Sequence, residues 1–227
     1  MPYISFIMIA AKGLLRIFIL LSIVYLSGII FNLADIMFYL KPAMLLPLII
    51  AAFTSTAFKN KLILGFALIF SWTGDTLLLF VFKDAIYFIL GLVAFLIAHI
   101  CYIVLFKKEL KKEGGKITFK NPVLLIIFIY LAVLLTLLIP RLGGLTVPVI
   151  IYAIVISTML YMAYLLSLHW PKPDSIFLFT GAISFILSDS ILAINKFYQP
   201  LPMAGFLIMA TYLYAQWSLV KSCLKKQ

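Results

Sequence analysis

The stretch LILGFALIFSWTGDTLLLFVF, residues 62–82, carries a single charge, Asp75, and is closed by Lys83. An α-helix needs about 20 consecutive apolar residues to cross the hydrocarbon core of a bilayer. The stretch therefore reads as a membrane span, and the carboxyl group inside it as an anomaly that needs a reason.

The rest of the chain shares this character. Of its 227 residues 66% are hydrophobic and 11% charged, and its mean hydropathy is +1.22. A soluble domain is roughly 45–50% apolar and about 25% charged, so a cytosolic enzyme, a DNA-binding domain and a secreted disulfide scaffold are excluded. Further apolar runs lie near 14–32, 42–58, 85–106, 122–140, 145–168, 176–195 and 201–220. Together they predict an all-α polytopic integral membrane protein of eight transmembrane helices, forming a single transmembrane domain over 1–227. The second run is short and holds Pro42 and Pro47, and the one sizeable loop is Lys107–Lys120. Apolar Tyr3–Ala11 precedes Lys12 and Arg16, the reverse of a cleavable signal, so the first span is read as retained.

The net charge of +11 is topological, because the basic residues stand at the ends of the apolar runs, and no nucleic-acid partner is expected. With eight spans, four of the 18 Lys and Arg (Lys41, Lys83, Arg141 and Lys196) fall on one side and the others on the opposite side. The positive-inside rule then puts both termini in the cytoplasm. The short loops and the lack of a targeting extension fit a bacterial inner membrane. Cys101 and Cys223 are far apart and show no metal-ligand spacing. Shifting the chain by 114 residues places Asp75 on Asp189 and Gly91 on Gly205, a weak repeat (1–113 and 114–227) that suggests two four-helix halves.

Five of the seven acidic residues (Asp35, Asp84, Glu109, Glu113 and Asp174) lie near expected helix ends; Asp75 and Asp189 do not. At 1.5 Å per residue, each should lie roughly 10–12 Å inside the extracytoplasmic end of its helix. An intramembrane carboxylate costs about 2.5–3.5 kcal/mol on insertion scales and usually marks a site. The bland alternative is a carboxyl hydrogen-bonded to Ser71 or Ser188. His99 is a third candidate, expected roughly 6–10 Å lower. It shares a helix face with Gly91, Phe95 and Tyr102, and Tyr212 and Gln216 make a second polar pair on the last span. Two acids and one histidine on three helices fall short of a catalytic zinc set, so neither metal nor cofactor is expected. Lys41-Pro42 opens the second span on the side the acids approach, where an ammonium can meet a lipid phosphate.

In order and spacing these residues resemble the YhhN-like membrane proteins, whose characterised members are lysoplasmalogenases. The resemblance rests on Lys41-Pro42, Gly74-Asp75 with Leu77 and Leu78, and Gly91 with Phe95, His99 and Tyr102. It continues through Gly181-Ala182 with Phe185, Ser188-Asp189, Asn195, Phe197, and Tyr212 with Ala215-Gln216; Tyr152 adds to it. It implies hydrolysis of the vinyl-ether bond of a lysoplasmalogen, giving a fatty aldehyde and glycerophosphoethanolamine or glycerophosphocholine. Vinyl ethers are cleaved by protonation at carbon followed by attack of water, and one protonated and one ionised carboxyl are a natural pair for this. Asp75 and Asp189 would be that pair, with His99 orienting water or an acid. Lys41 would hold the phosphate of a lysophospholipid, and Tyr102, Ser188, Asn195, Tyr212 and Gln216 would line its site. Three rival readings share the features, one of them a non-catalytic membrane protein in which both acids would be structural. A proton-coupled transporter would also use paired intramembrane acids, and another lipid hydrolase should show an activated serine or a fuller metal set.

Overall fold

The computed structural model describes residues 2–55 and 58–225. Among them the secondary structure is entirely helical: α1 (Pro2–Ile30), α2 (Ala34–Leu40), α3 (Leu46–Thr54), α4 (Lys61–Leu78), α5 (Ile86–Lys112), α6 (Pro122–Leu142), α7 (Thr146–Ser167), α8 (Asp174–Ala193) and α9 (Ala204–Lys225). Among the described residues six segments are long and apolar enough to cross a membrane: Ala11–Ile30, Ala34–Thr54, Lys61–Leu78, Ile86–Lys112, Pro122–Ser167 and Asp174–Tyr198. The protein is an integral membrane protein, and its outward faces are correspondingly apolar. Leu125, Ile126 and Phe128 on α6 are more than half exposed, as suits a helix turned toward lipid.

The expected second span, 42–58, is not one helix. Proline has no N–H to donate and its ring clashes with the carbonyl four residues back. The chain accordingly breaks after α2 into a 3₁₀ turn, Lys41–Ala43, and restarts as α3 with Pro47 in its first turn, where proline is tolerated. The Trp72 indole of α4 donates to the Pro42 carbonyl at 2.6 Å, which satisfies a carbonyl freed by the break and fixes Lys41 beside α4. The 46-residue segment Pro122–Ser167 bends at Gly143, whose φ of +52° is a backbone conformation that favours glycine. The loop expected from Lys107 is also shorter than read, because α5 continues to Lys112. Glu109 is consequently a buried helical residue, accepting from Asn60 Nδ2 at 2.7 Å and lying 3.7 Å from Lys112 Nζ.

Helices α4 and α5 pair closely, as do α8 and α9; α7 lies against α5 and α8, α1 against α3 and α9, and α6 is peripheral. The α4–α5 approach depends on two glycines. A Cβ on Gly74 would stand 2.6 Å from the Phe95 ring, and one on Gly91 would stand 3.0 Å from Leu78 and 3.5 Å from the Gly74 carbonyl. Small residues admit this kind of close backbone contact between membrane helices. Gly205, the expected counterpart of Gly91, faces open space, so the two positions do not play equivalent packing roles.

Candidate active site

α4 ends at Leu78, so Asp75 stands in its last turn rather than deep within a helix running to residue 82. Asp75 is 4% exposed and accepts a hydrogen bond from the Tyr212 hydroxyl of α9 at 2.5 Å. Asp189 of α8 accepts one from the Tyr152 hydroxyl of α7. Its side chain is 15% exposed, and with Asp75 it lines a cavity of about 450 Å³. The two carboxyls are within electrostatic reach of each other, and Lys41 is within reach of Asp75. Neither acid uses the serine offered by the bland alternative. Ser188 donates to the Ile208 carbonyl at 3.0 Å, and Ser71 makes no hydrogen bond among the described residues. A buried carboxyl takes a donor from a neighbouring helix when its own helix cannot supply one, and here tyrosines on α7 and α9 do so.

His99 is fully buried, and its Nε2 lies 3.9 Å from Asp189 Oδ2. The expected depth offset therefore does not part it from the acid. Its ring lies near the Phe95 carbonyl one turn earlier without closing a hydrogen bond to it. Edge contacts with Tyr152 and Phe185 hold it, with ring centroids 5.4 and 4.6 Å away.

Of the other expected residues, Lys41, Ser188, Asn195 and Tyr212 line the cavity. Asn195 has a second task, its Oδ1 accepting from the Leu201 backbone N–H at 2.9 Å. Tyr102 and Gln216 are not brought to the cavity. They hydrogen-bond to each other in the core between α5 and α9, Tyr102 donating at 2.9 Å. Among the described residues no three His, Cys, Asp or Glu side chains converge as a metal site.

Several lining residues lie outside the expected set, Tyr25, Phe88 and Lys196 among them. Tyr25 comes from α1 and Phe88 from the first turn of α5; Lys196 comes from a π-helical turn, Ile194–Tyr198, that extends α8. Such turns are rare and recur at functional sites; this one holds Asn195 and Lys196 at the cavity wall. Lys196 Nζ lies 5.2 Å over the Phe88 ring. The available signal is Lys196 itself, seven residues after the second acid, which topology alone already accounts for as a basic residue at a helix end.

Residues 36–223 match the profile of the YhhN family. The chain belongs to the YhhN family. Lysoplasmalogenase TMEM86A from Bos taurus is 30% identical over 166 residues, covering 70% of this chain and 64% of the relative. Lysoplasmalogenase TMEM86B from Homo sapiens is 32% identical over 165 residues, covering 70% and 62%. A lysoplasmalogenase from Mycobacterium tuberculosis (strain CDC 1551 / Oshkosh) is 33% identical over 133 residues, covering 58% and 48%. The chain thus spans just under two thirds of the mammalian relatives and about half of the mycobacterial one. No solved structure gives a significant match. In this YhhN chain the matched region runs from α2 into α9, so it takes in every lining residue of the acid cavity except Tyr25 and Ile29 of α1.

Proposed function

We propose that this YhhN protein hydrolyses the vinyl-ether bond of a single-chain ether phospholipid, releasing a fatty aldehyde and the glycerophospho-ethanolamine or -choline. The observation that carries the reading is one cavity with two carboxyls on its wall, each held by a tyrosine, and with two lysines on the same wall. The relatives named lysoplasmalogenase support the substrate class.

The chemistry follows from the parts. A protonated carboxyl gives its proton to the vinyl carbon remote from oxygen, leaving an oxocarbenium ion. The second carboxylate stabilises that cation and takes a proton from the attacking water. The hemiacetal so formed collapses, its hydroxyl proton passing to the glycerol oxygen, and the proton taken from water returns from the second carboxyl to the first, so that one water is consumed and no other reagent is needed. Asp75, the more buried, takes the acid role; Asp189, more exposed and 3.9 Å from His99, takes the base role, with His99 orienting it. Ser188, Asn195 and Tyr212 line the site around the glycerol, with Tyr102 and Gln216 supporting from behind. The ammoniums of Lys41 and Lys196 hold the phosphate.

The same reading gives the topology. Pro122–Ser167 turns back at Gly143 into two crossings, and α9 crosses beside α8. Eight crossings in all put both termini on the basic, cytoplasmic side of a bacterial inner membrane, with the headgroup held toward the opposite face.

The test is aldehyde release by purified protein from a defined lysoplasmalogen, beside its ester analogue. Aldehyde from the vinyl ether alone supports the reading. No aldehyde from folded protein sinks it, and proton-coupled transport becomes the better account. Lys41→Gln and Lys196→Gln are each expected to raise KM about five- to tenfold with kcat almost unchanged, because a lost charge-assisted contact to a phosphate that does not react is uniform binding. On an alkenylglycerol lacking phosphate, both variants should match wild type; an equal loss there would remove the lysines from headgroup binding.

A further inference from the structure

Asp189 lines more than the acid cavity. A neighbouring pocket of about 50 Å³, the neck, shares Leu78, Phe88, Phe95, Leu192 and Asp189 with the cavity and is also lined by Tyr152. The neck shares Leu92 and Tyr152 with a crevice of about 230 Å³ between α5 and the start of α7. That crevice opens to the outside of the bundle, where Val93 is 46% and Ile151 47% exposed. A water needs only about 10–15 Å³ of such space, so the neck has room for a few methylene groups and not for a headgroup. A second apolar crevice, about 300 Å³ between α1 and α9, shares no lining residue with the acid cavity.

We propose that the aliphatic chain of the substrate leaves the acid cavity sideways through this neck, lies between α5 and α7, and that the aldehyde is released into the bilayer by the same route. The inference rests on the vinyl-ether reading above and adds the placement of the chain. A vinyl ether joins its headgroup-bearing glycerol directly to its chain, so the reacting carbons must sit between the two. Lys41 and Lys196 line the cavity, the crevice lies beyond the neck, and Asp189 stands where cavity and neck meet. Tyr152 then serves twice, donating to Asp189 and walling the neck. Apolar lining with few polar groups is what an aliphatic ligand selects.

The experiment compares long- and short-chain lysoplasmalogens on Val93→Trp and Ile151→Trp, with Ile19→Trp in the α1–α9 crevice as comparison. The crevice variants are expected to lose about tenfold in kcat/KM on the long chain and little on the short one, while Ile19→Trp keeps the wild-type profile. Unchanged chain-length dependence in Val93→Trp and Ile151→Trp, with wild type still releasing aldehyde, overturns the chain placement alone. Wild type inactive on every vinyl ether overturns the functional reading and the placement with it. A readout that needs no variant is wild-type protein labelled by a lysolipid carrying a photoreactive group at its chain end. Labelling within Ile86–Lys112 and Thr146–Ser167 agrees with the route, and labelling confined to α1 and α9 excludes it.

Discussion

Asp75→Asn and Asp189→Asn are each expected to lower kcat for aldehyde release by about 10²- to 10⁴-fold, the range that positioned acid–base groups contribute. The replacement is close to isosteric. Asparagine keeps an oxygen that Tyr212 or Tyr152 can donate to, so the helix contacts survive, but it has no acidic proton to give and no charge to set against an oxocarbenium ion. Because the two groups act on one substrate in sequence, the double variant should be little worse than either single one. The rate should be indifferent to a chelator. The measurement is aldehyde release by monodisperse protein, with thermal unfolding of each variant to confirm folding. Either variant retaining more than about a tenth of the wild-type rate would remove that residue from proton transfer, and chelator sensitivity would direct the mechanism to a metal.

Much of this site was legible because membrane helices make charge conspicuous. Asp75 and Asp189 stand out in runs of leucine and phenylalanine, and their intramembrane position predicted inward-facing groups; both line one cavity. Gly91 was legible as a point of close helix approach, and Gly74 proves to be its partner across α4 and α5. The residues that hold the acids were harder to see. Tyr152 and Tyr212 meet Asp189 and Asp75 from other helices, 37 and 137 positions away, and no periodicity within one helix encodes such a pairing. Hydropathy also set the expected helix limits too simply. It cannot register that Pro42 forces a 3₁₀ turn, that α4 stops at Leu78, or that α8 loosens into the π turn that carries Lys196 to the cavity. Tyr102 and Gln216 show the converse: polar residues on an inward face can hydrogen-bond to each other, Tyr102 to Gln216 Oε1, away from the acid cavity.

Deleting each tyrosine hydroxyl in turn tests which carboxyl carries the proton. A hydrogen bond to a charged group contributes about 1.5–3 kcal/mol and a neutral one about 1, and about 1.4 kcal/mol is tenfold in rate. Phenylalanine keeps the ring contacts, those of Tyr152 with His99 and of Tyr212 with Phe95 and Phe185, and deletes only the hydroxyl. If Asp189 is the ionised base, Tyr152→Phe is expected to lower kcat by about ten- to a hundredfold, because its hydroxyl supports a charge that must persist until water attacks. Tyr212→Phe, which withdraws a donor from a protonated Asp75, should cost about fivefold. Single-turnover aldehyde release on the two variants reads the difference without interference from product release. The reverse order would exchange the roles of the two aspartates while leaving the pair intact. Losses below about twofold in both would mean that the hydroxyls merely fill space, and would shift the task of holding Asp189 to His99, whose Nε2 needs to close only from 3.9 Å to about 3 Å to do so.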